Sequence, residues 1–239
     1  EQIQAGKLAP SAPVPRVEVS VQRPAFLEER TEREEAKRSI FVAREREMAR
    51  LDGFLETVLQ GEGRVVFITG GPGRGKTVLM DAFARRAMEA HPDLLIASGA
   101  CNAYSDVGDP YLPFRDIMAM LSGDVEAKWN AGAITCDHAR CLWTALPLVV
   151  QALLDHGPDL IDVFMSRAAL FSRAIAAGQD DDPWLSYLRD HVSRQRASSQ
   201  GVEQSHLFQQ ITNVLRAVAG EQPLLLMLDD VQWADNASI

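Results

Sequence analysis

The segment Gly70-Gly71-Pro72-Gly73-Arg74-Gly75-Lys76-Thr77 constrains this chain more than any other, because it matches the pattern G-x-x-x-x-G-K-[ST]. At ordinary residue frequencies a chance match in a chain of this length has a likelihood on the order of 1%. The flanks fit the motif. Arg64 to Thr69 (RVVFIT) is a β-branched and aromatic run bounded by glycines, and Lys76 to Ala90 has helical spacing through Leu79, Ala82, Phe83 and Ala87. The reading is strand, glycine loop, helix. Glycines let the backbone curl so that successive N–H groups face a phosphate, and the following helix turns its positive end to the same charge. Lys76 adds a cation for the β- and γ-phosphates, and the Thr77 hydroxyl suits magnesium. Val78, the next residue, is grouped with the loop as nucleotide-binding. The plain alternative is a glycine-rich turn with no ligand.

The rest of the chain bounds what such a loop serves. Its 239 residues, 46% of them hydrophobic, suffice for one large domain or two small ones. The net charge of −9 argues against a basic face that grips DNA or RNA, so direct nucleic-acid binding is not expected of this chain. Cys101, Cys136 and Cys141 are an odd number, unlike a disulfide framework, and point to a reducing, cytoplasmic setting. The longest nearly apolar stretch, Leu142 to Leu154, is well short of the roughly 20 residues that cross a bilayer, so no membrane partner is expected.

Along the chain, residues 1–38 read as linker and the tail of a preceding domain: three prolines fall between Ala9 and Pro15, and nearly every residue from Glu28 to Arg38 is charged, which reads as a solvated helix after the linker. Little packing is expected there. A P-loop domain is assigned to 39–239. It opens with an amphipathic helix carrying Met48, Leu51, Phe54, Leu55, Val58 and Leu59, closed by Gly61. Leu94 to Ser98 is a second candidate strand. From about 114 to 200 only helical patterning appears, broken at Gly123, Pro147, Gly157-Pro158 and Gly178 to Pro183, which reads as a helical insertion. A last helix through Leu207, Ile211, Val214, Leu215 and Val218 is expected to end at Gly220, before the apolar strand Leu224 to Leu228. The fold class is α/β: a P-loop NTPase with a parallel sheet flanked by helices.

That last strand delivers Asp229 and Asp230 at its C-terminal end, where open parallel sheets bind ligands. Asp229 is the expected magnesium-side carboxylate, and Asp230 is placed to orient or activate the attacking water. ATP and magnesium are therefore the implied ligands. The same strand end also fits a solvated turn.

The run DDVQWAD (Asp229 to Asp235), with FVAREREMARLDGFL (Phe41 to Leu55) ahead of the loop, resembles the STAND-type AAA-like ATPases, over roughly Ile40 to Ile239. The resemblance implies an ATP-dependent switch, of the ASCE division of P-loop folds, inside a large bacterial signalling or transcription regulator of the SARP or LuxR type. It implies partners among other domains of the same polypeptide, self-association in the ATP state, and adenine contacts from the segment Val42 to Arg46, with Val42 and Ala43 as the residues carried over. Gly71 and Arg74 depart from the family's usual residues without removing a phosphate-binding group. The first ten residues, EQIQAGKLAP, resemble the closing helix of the activator domain in SARP-type regulators. The chain stops soon after Asp230, so the resemblance also leads us to expect an incomplete sheet. A later sensor strand and a helical lid would be missing, and residues 1–239 alone would form the loop yet bind nucleotide poorly.

Two other functions fit a P-loop. A small-molecule kinase is disfavoured by the paired Asp229-Asp230, since a water-activating carboxylate favours hydrolysis, and turnover without an added acceptor separates the two. A nucleotide-holding scaffold that never hydrolyses is the other. Cys136, His138 and Cys141 lack the fourth ligand of a zinc site and read as helix positions. Asp180 to Asp182 before Pro183 read as a helix start with favourable charge. Trp143 and Trp233 read as core aromatics or as pocket walls.

Overall fold

A computed structural model describes residues 21–27, 44–101, 111–178, 182–194 and 203–234 of the chain. It divides into two compact units, with described residues 44–91 in the first and residues 21–27 and those from 92 onward in the second.

The first unit is built on two helices, α1 (Glu45–Leu59) and α2 (Lys76–Ala90). In α1 Met48, Leu51 and Leu55 fall at helical spacing and are buried, while Glu45 and Glu47 put negative charge at the positive end. The helix ends as its sequence predicts. Gly61 has φ +92°, its N–H bonds to Val58 O at 2.9 Å and the Glu62 N–H to Thr57 O at 3.2 Å, so two terminal carbonyls are satisfied. Buried Leu79, Phe83, Ala84 and Ala87 give α2 its inner stripe. Arg86 reaches Asp52 of α1 at 3.0 Å, an exposed pair that contributes little energy but fixes which faces meet.

The predicted strand at Arg64 to Thr69 is not formed: these residues carry no strand, and Val65 and Phe67 are each 83% exposed. A strand owes its stability to a ladder partner and a buried face, and among the described residues this run has no ladder.

In the second unit β1 (Leu95–Ala100) and β2 (Leu224–Asp229) pair in parallel, in register from Leu95 opposite Leu224 to Ala100 opposite Asp229. Parallel strands need a crossover, and here the chain between them supplies a helical layer. It comprises α3 (Leu112–Leu121), α4 (Glu126–Asn130), α5 (Cys136–Thr144), α6 (Leu146–His156), the short α7 (Leu160–Val163), α8 (Arg167–Ala177) and α9 (Pro183–Arg194). The predicted breaks are where helices change: Gly123 follows α3 at φ +79°, Pro147 lies in the first turn of α6, and Gly157 caps its end.

The core sits in this layer. Leu142, Leu146, Val149, Val150 and Leu153 are fully buried. Helix α10 (Gln204–Glu221) packs on α6 through Leu207, Ile211, Val214 and Val218 and leads directly into β2. It runs one residue past Gly220, which lies in its last turn rather than ending it.

Part of the predicted linker is packed. Leu27 is fully buried, the Gln22 N–H bonds to Ala177 O at 2.8 Å, and Arg140 of α5 donates to Leu27 O at 2.7 Å. Trp143, a core aromatic, donates its indole N–H to Gln22 O at 2.9 Å. The expectation of little packing rested on prolines and charge on either side, but Phe26 and Leu27 carry enough apolar surface to dock.

Helix α3 approaches β1 at Gly99, where a Cβ would lie 2.1 Å from Pro113 O and 2.7 Å from Pro113 Cα. Backbone cannot yield as a side chain can. Gly99→Ala is therefore expected to destabilise the fold by about 1–3 kcal/mol or more, read as a lower urea midpoint at constant slope. An unchanged midpoint would contradict the close approach of α3.

Candidate functional site

The predicted phosphate loop lies in the first unit and the two carboxylates in the second, so each is described by itself.

In the loop, Gly73 (φ +70°) and Gly75 (φ +72°) take the left-handed region that side chains resist, and Gly75 is the N-cap of the 15-residue α2. The Arg74 N–H bonds to Gly71 O at 3.4 Å, which closes the turn. Lys76, first residue of the helix, curls back so that Nζ lies 3.1 Å from Gly70 O and 3.3 Å from Gly71 O. The helix start, the two turned glycines and the ammonium thus fall on one short stretch, a donor set for an anion. Thr77 is exposed in the first turn, Val78 is half exposed, and Leu79 turns inward as the first buried residue. A hydroxyl beside the loop and an apolar anchor behind it follow from α2's periodicity.

Arg44, the residue preceding α1, donates its guanidinium to Arg74 O. The resemblance implies adenine contacts from the segment Val42 to Arg46; Val42 and Ala43 lie outside the described residues, and the Arg44 contact is to the backbone of the loop. The basic run before the helix was its one sequence signal.

At the other candidate position, Asp229 ends β2 and Asp230 turns the chain, with φ +53° and ψ +35°, a conformation that aspartate tolerates better than most residues. The Asp230 N–H donates to Asp229 Oδ1 at 2.8 Å, and Gln232 Nε2 donates to Asp230 Oδ1 at 2.7 Å. The Cys101 N–H donates to Asp229 O at 3.1 Å, fixing the backbone beneath the first carboxylate. Both carboxylates are therefore held by short-range bonds at a strand's C-terminal end. Trp233 is 54% exposed, on a short 3-10 turn, and is not a core aromatic. That turn lifts it off the path of the strand.

The other constellations have structural roles. Thr135 caps α5 by accepting the His138 N–H at 3.1 Å. The His138 ring donates from Nε2 to Ile96 O at 2.7 Å, and burial pushes its pKa down. Cys136 turns its thiol to Leu27 O and Cys141 to Leu94 O, with the Cys141 pKa raised to about 11 chiefly by burial and then by Asp93. Asp182 O receives the N–H of Leu185 at 3.1 Å at the start of α9, while Asp180 and Asp181 lie outside the described residues.

A family model described as an AAA ATPase domain matches residues 40–239. The chain belongs to this family, an α/β P-loop fold built for binding and hydrolysing nucleotide. No curated protein and no solved structure matches it. Among the described residues no helix is long and apolar enough to cross a membrane.

The Arg44 contact predicts a local effect. Arg44→Ala is expected to speed amide exchange of Gly71, Gly73, Arg74 and Gly75 roughly three- to tenfold, the lower range for a charge-assisted hydrogen bond at an exposed site, and to leave Leu79 to Ala87 unchanged. Equal exchange throughout would mean that Arg44 does not hold the loop.

Proposed function

We propose that this chain is the ATP-holding part of a regulatory switch, in which Gly70 to Val78 grip the triphosphate and Asp229 and Asp230 serve the magnesium ion and the attacking water. The observation that carries the reading is the loop itself: two left-handed glycines opening a 15-residue helix, with the Lys76 ammonium over the loop's first carbonyls, in a chain of the AAA ATPase family. An ammonium has three donors. Two are turned to Gly70 O and Gly71 O, which aims the group, and the third serves a phosphate oxygen.

For magnesium, the sequence motif and the resemblance nominate the Thr77 hydroxyl and the Asp229 carboxylate, each by its own chemistry a hard oxygen ligand. The ion, when bound, neutralises charge on the β- and γ-phosphates. Asp230 accepts from Gln232, so its second oxygen is directed by a bond to the first; this orients it as the acceptor for a water proton. Paired carboxylates favour hydrolysis over transfer to an alcohol, which sets the switch ahead of a kinase.

The wider reading rests on the sequence resemblance: an ASCE-type sheet that continues beyond β2, one domain spanning 39–239 with a helical insertion near 114–200, and a STAND module working on neighbouring domains of a SARP- or LuxR-type regulator. Val42 and Ala43 would line the adenine. ATP closes such a module and hydrolysis or exchange reopens it, so attached domains read the nucleotide state.

Three substitutions test these roles in the intact protein. Lys76→Ala should weaken ATP binding at least about tenfold by titration calorimetry, since it deletes a charge-assisted contact. Asp230→Asn should keep affinity while slowing turnover, and Asp229→Asn should also lower magnesium-dependent affinity. Parent-like binding by the first, or parent-like turnover by both of the others, would overturn the assignment.

A further inference from the structure

We infer that α5, with Met120 of α3, is a cap built from side chains that closes the outer edge of β1 to strand addition by a second copy of this chain, with His138 as its decisive positioning residue. Alternation along a parallel ladder shows which groups face outward. The Leu95 N–H bonds to Pro223 O at 2.9 Å and the Cys101 N–H to Asp229 O at 3.1 Å, so odd-numbered residues of β1 face β2. The backbone groups of Leu94, Ile96 and Ser98 therefore point the other way, to an edge where no strand pairs among the described residues.

One backbone group of each of these three residues is met by a side chain. His138 Nε2 donates to Ile96 O at 2.7 Å and the Ser98 N–H donates to Met120 Sδ at 3.5 Å, while the single Cys141 S–H is shared between Pro92 O at 3.5 Å and Leu94 O at 3.6 Å. The spacing along the strand is that of a neighbouring strand's bonds, but the donors and acceptor come from two helices.

The three bonds are unequal. Sulfur is a weak donor and a weak acceptor, so the short imidazole bond supplies most of the directional hold. The ring is set by its helix: Thr135 fixes where α5 begins, and the ring follows one turn later. A neutral imidazole suits the place, because a lysine or arginine donor would bring a charge into a buried site. The segment under the cap needs closing: Leu95 to Ala100 (LIASGA) has no charge and no proline, the two usual means by which an edge strand resists pairing with a copy of itself.

The cysteines allow the cap to be watched, since Cys141 lies on it and Cys101 directly follows β1. The test compares the intact protein with His138→Leu, which keeps bulk and removes the donor, and His138→Gln, which restores an N–H. Thiol labelling followed by mass spectrometry and sedimentation at rising concentration are read together. The expected result for His138→Leu is Cys141 labelling at least tenfold faster relative to Cys101, with a mass that climbs with concentration above that of the parent, and return toward parent behaviour in His138→Gln. Parallel acceleration at both cysteines, or parent-like mass at every concentration, overturns the inference. If His138→Leu does not fold, the parent in sub-denaturing urea replaces it: Cys141 labelling ahead of Cys101, with association, supports the cap, and simultaneous labelling overturns it.

Discussion

The pairing of Leu95–Ala100 with Leu224–Asp229 is the constraint on which the second unit depends. A parallel ladder cannot close through a short turn, so everything between its strands must be folded into a layer that brings their ends level. Helices α3 to α10 are that layer. Because the register sets Ala100 opposite Asp229, the same ladder decides where the first carboxylate stands, and the Cys101 N–H bonds to its carbonyl. Closure of the chain and placement of the two candidate carboxylates are one event in this unit.

The first unit answers to a different constraint, the conformational freedom of glycine. Gly73 and Gly75 hold backbone angles that a side chain would make costly, by roughly 1–2 kcal/mol each. Their arrangement lets α2 begin at once with Lys76, whose ammonium folds over the loop. Leu79, Phe83 and Ala87 anchor that helix against α1, so the loop projects from a packed support.

Features written in local spacing were legible in the sequence. The phosphate-loop pattern, the amphipathic faces of α1, α2 and α10, the breaks at Gly123 and Gly157, and the apolar run ending in two aspartates all depend on residues within a few turns of each other. Features decided by distant partners were not. Arg64 to Thr69 has the composition of a strand but no ladder among the described residues, and composition does not report a partner. Leu27 looks like part of a charged linker until α5 offers it a pocket. Trp233 follows an apolar strand, yet the left-handed turn at Asp230 carries it outward. Arg44 was visible only as one of several arginines, and His138 as one member of a cysteine-histidine cluster, because the carbonyls they bond to are remote in sequence.

The central claim, that Gly70 to Val78 hold a triphosphate, is tested most directly by amide hydrogen exchange of the intact protein with and without ATP and magnesium. Saturating ATP is expected to slow exchange at Gly73, Arg74, Gly75, Lys76 and Thr77, in the loop and the first turn of α2, and inorganic phosphate to protect them less. Exchange in this segment that is indifferent to ATP, under conditions where ATP demonstrably binds, would contradict it.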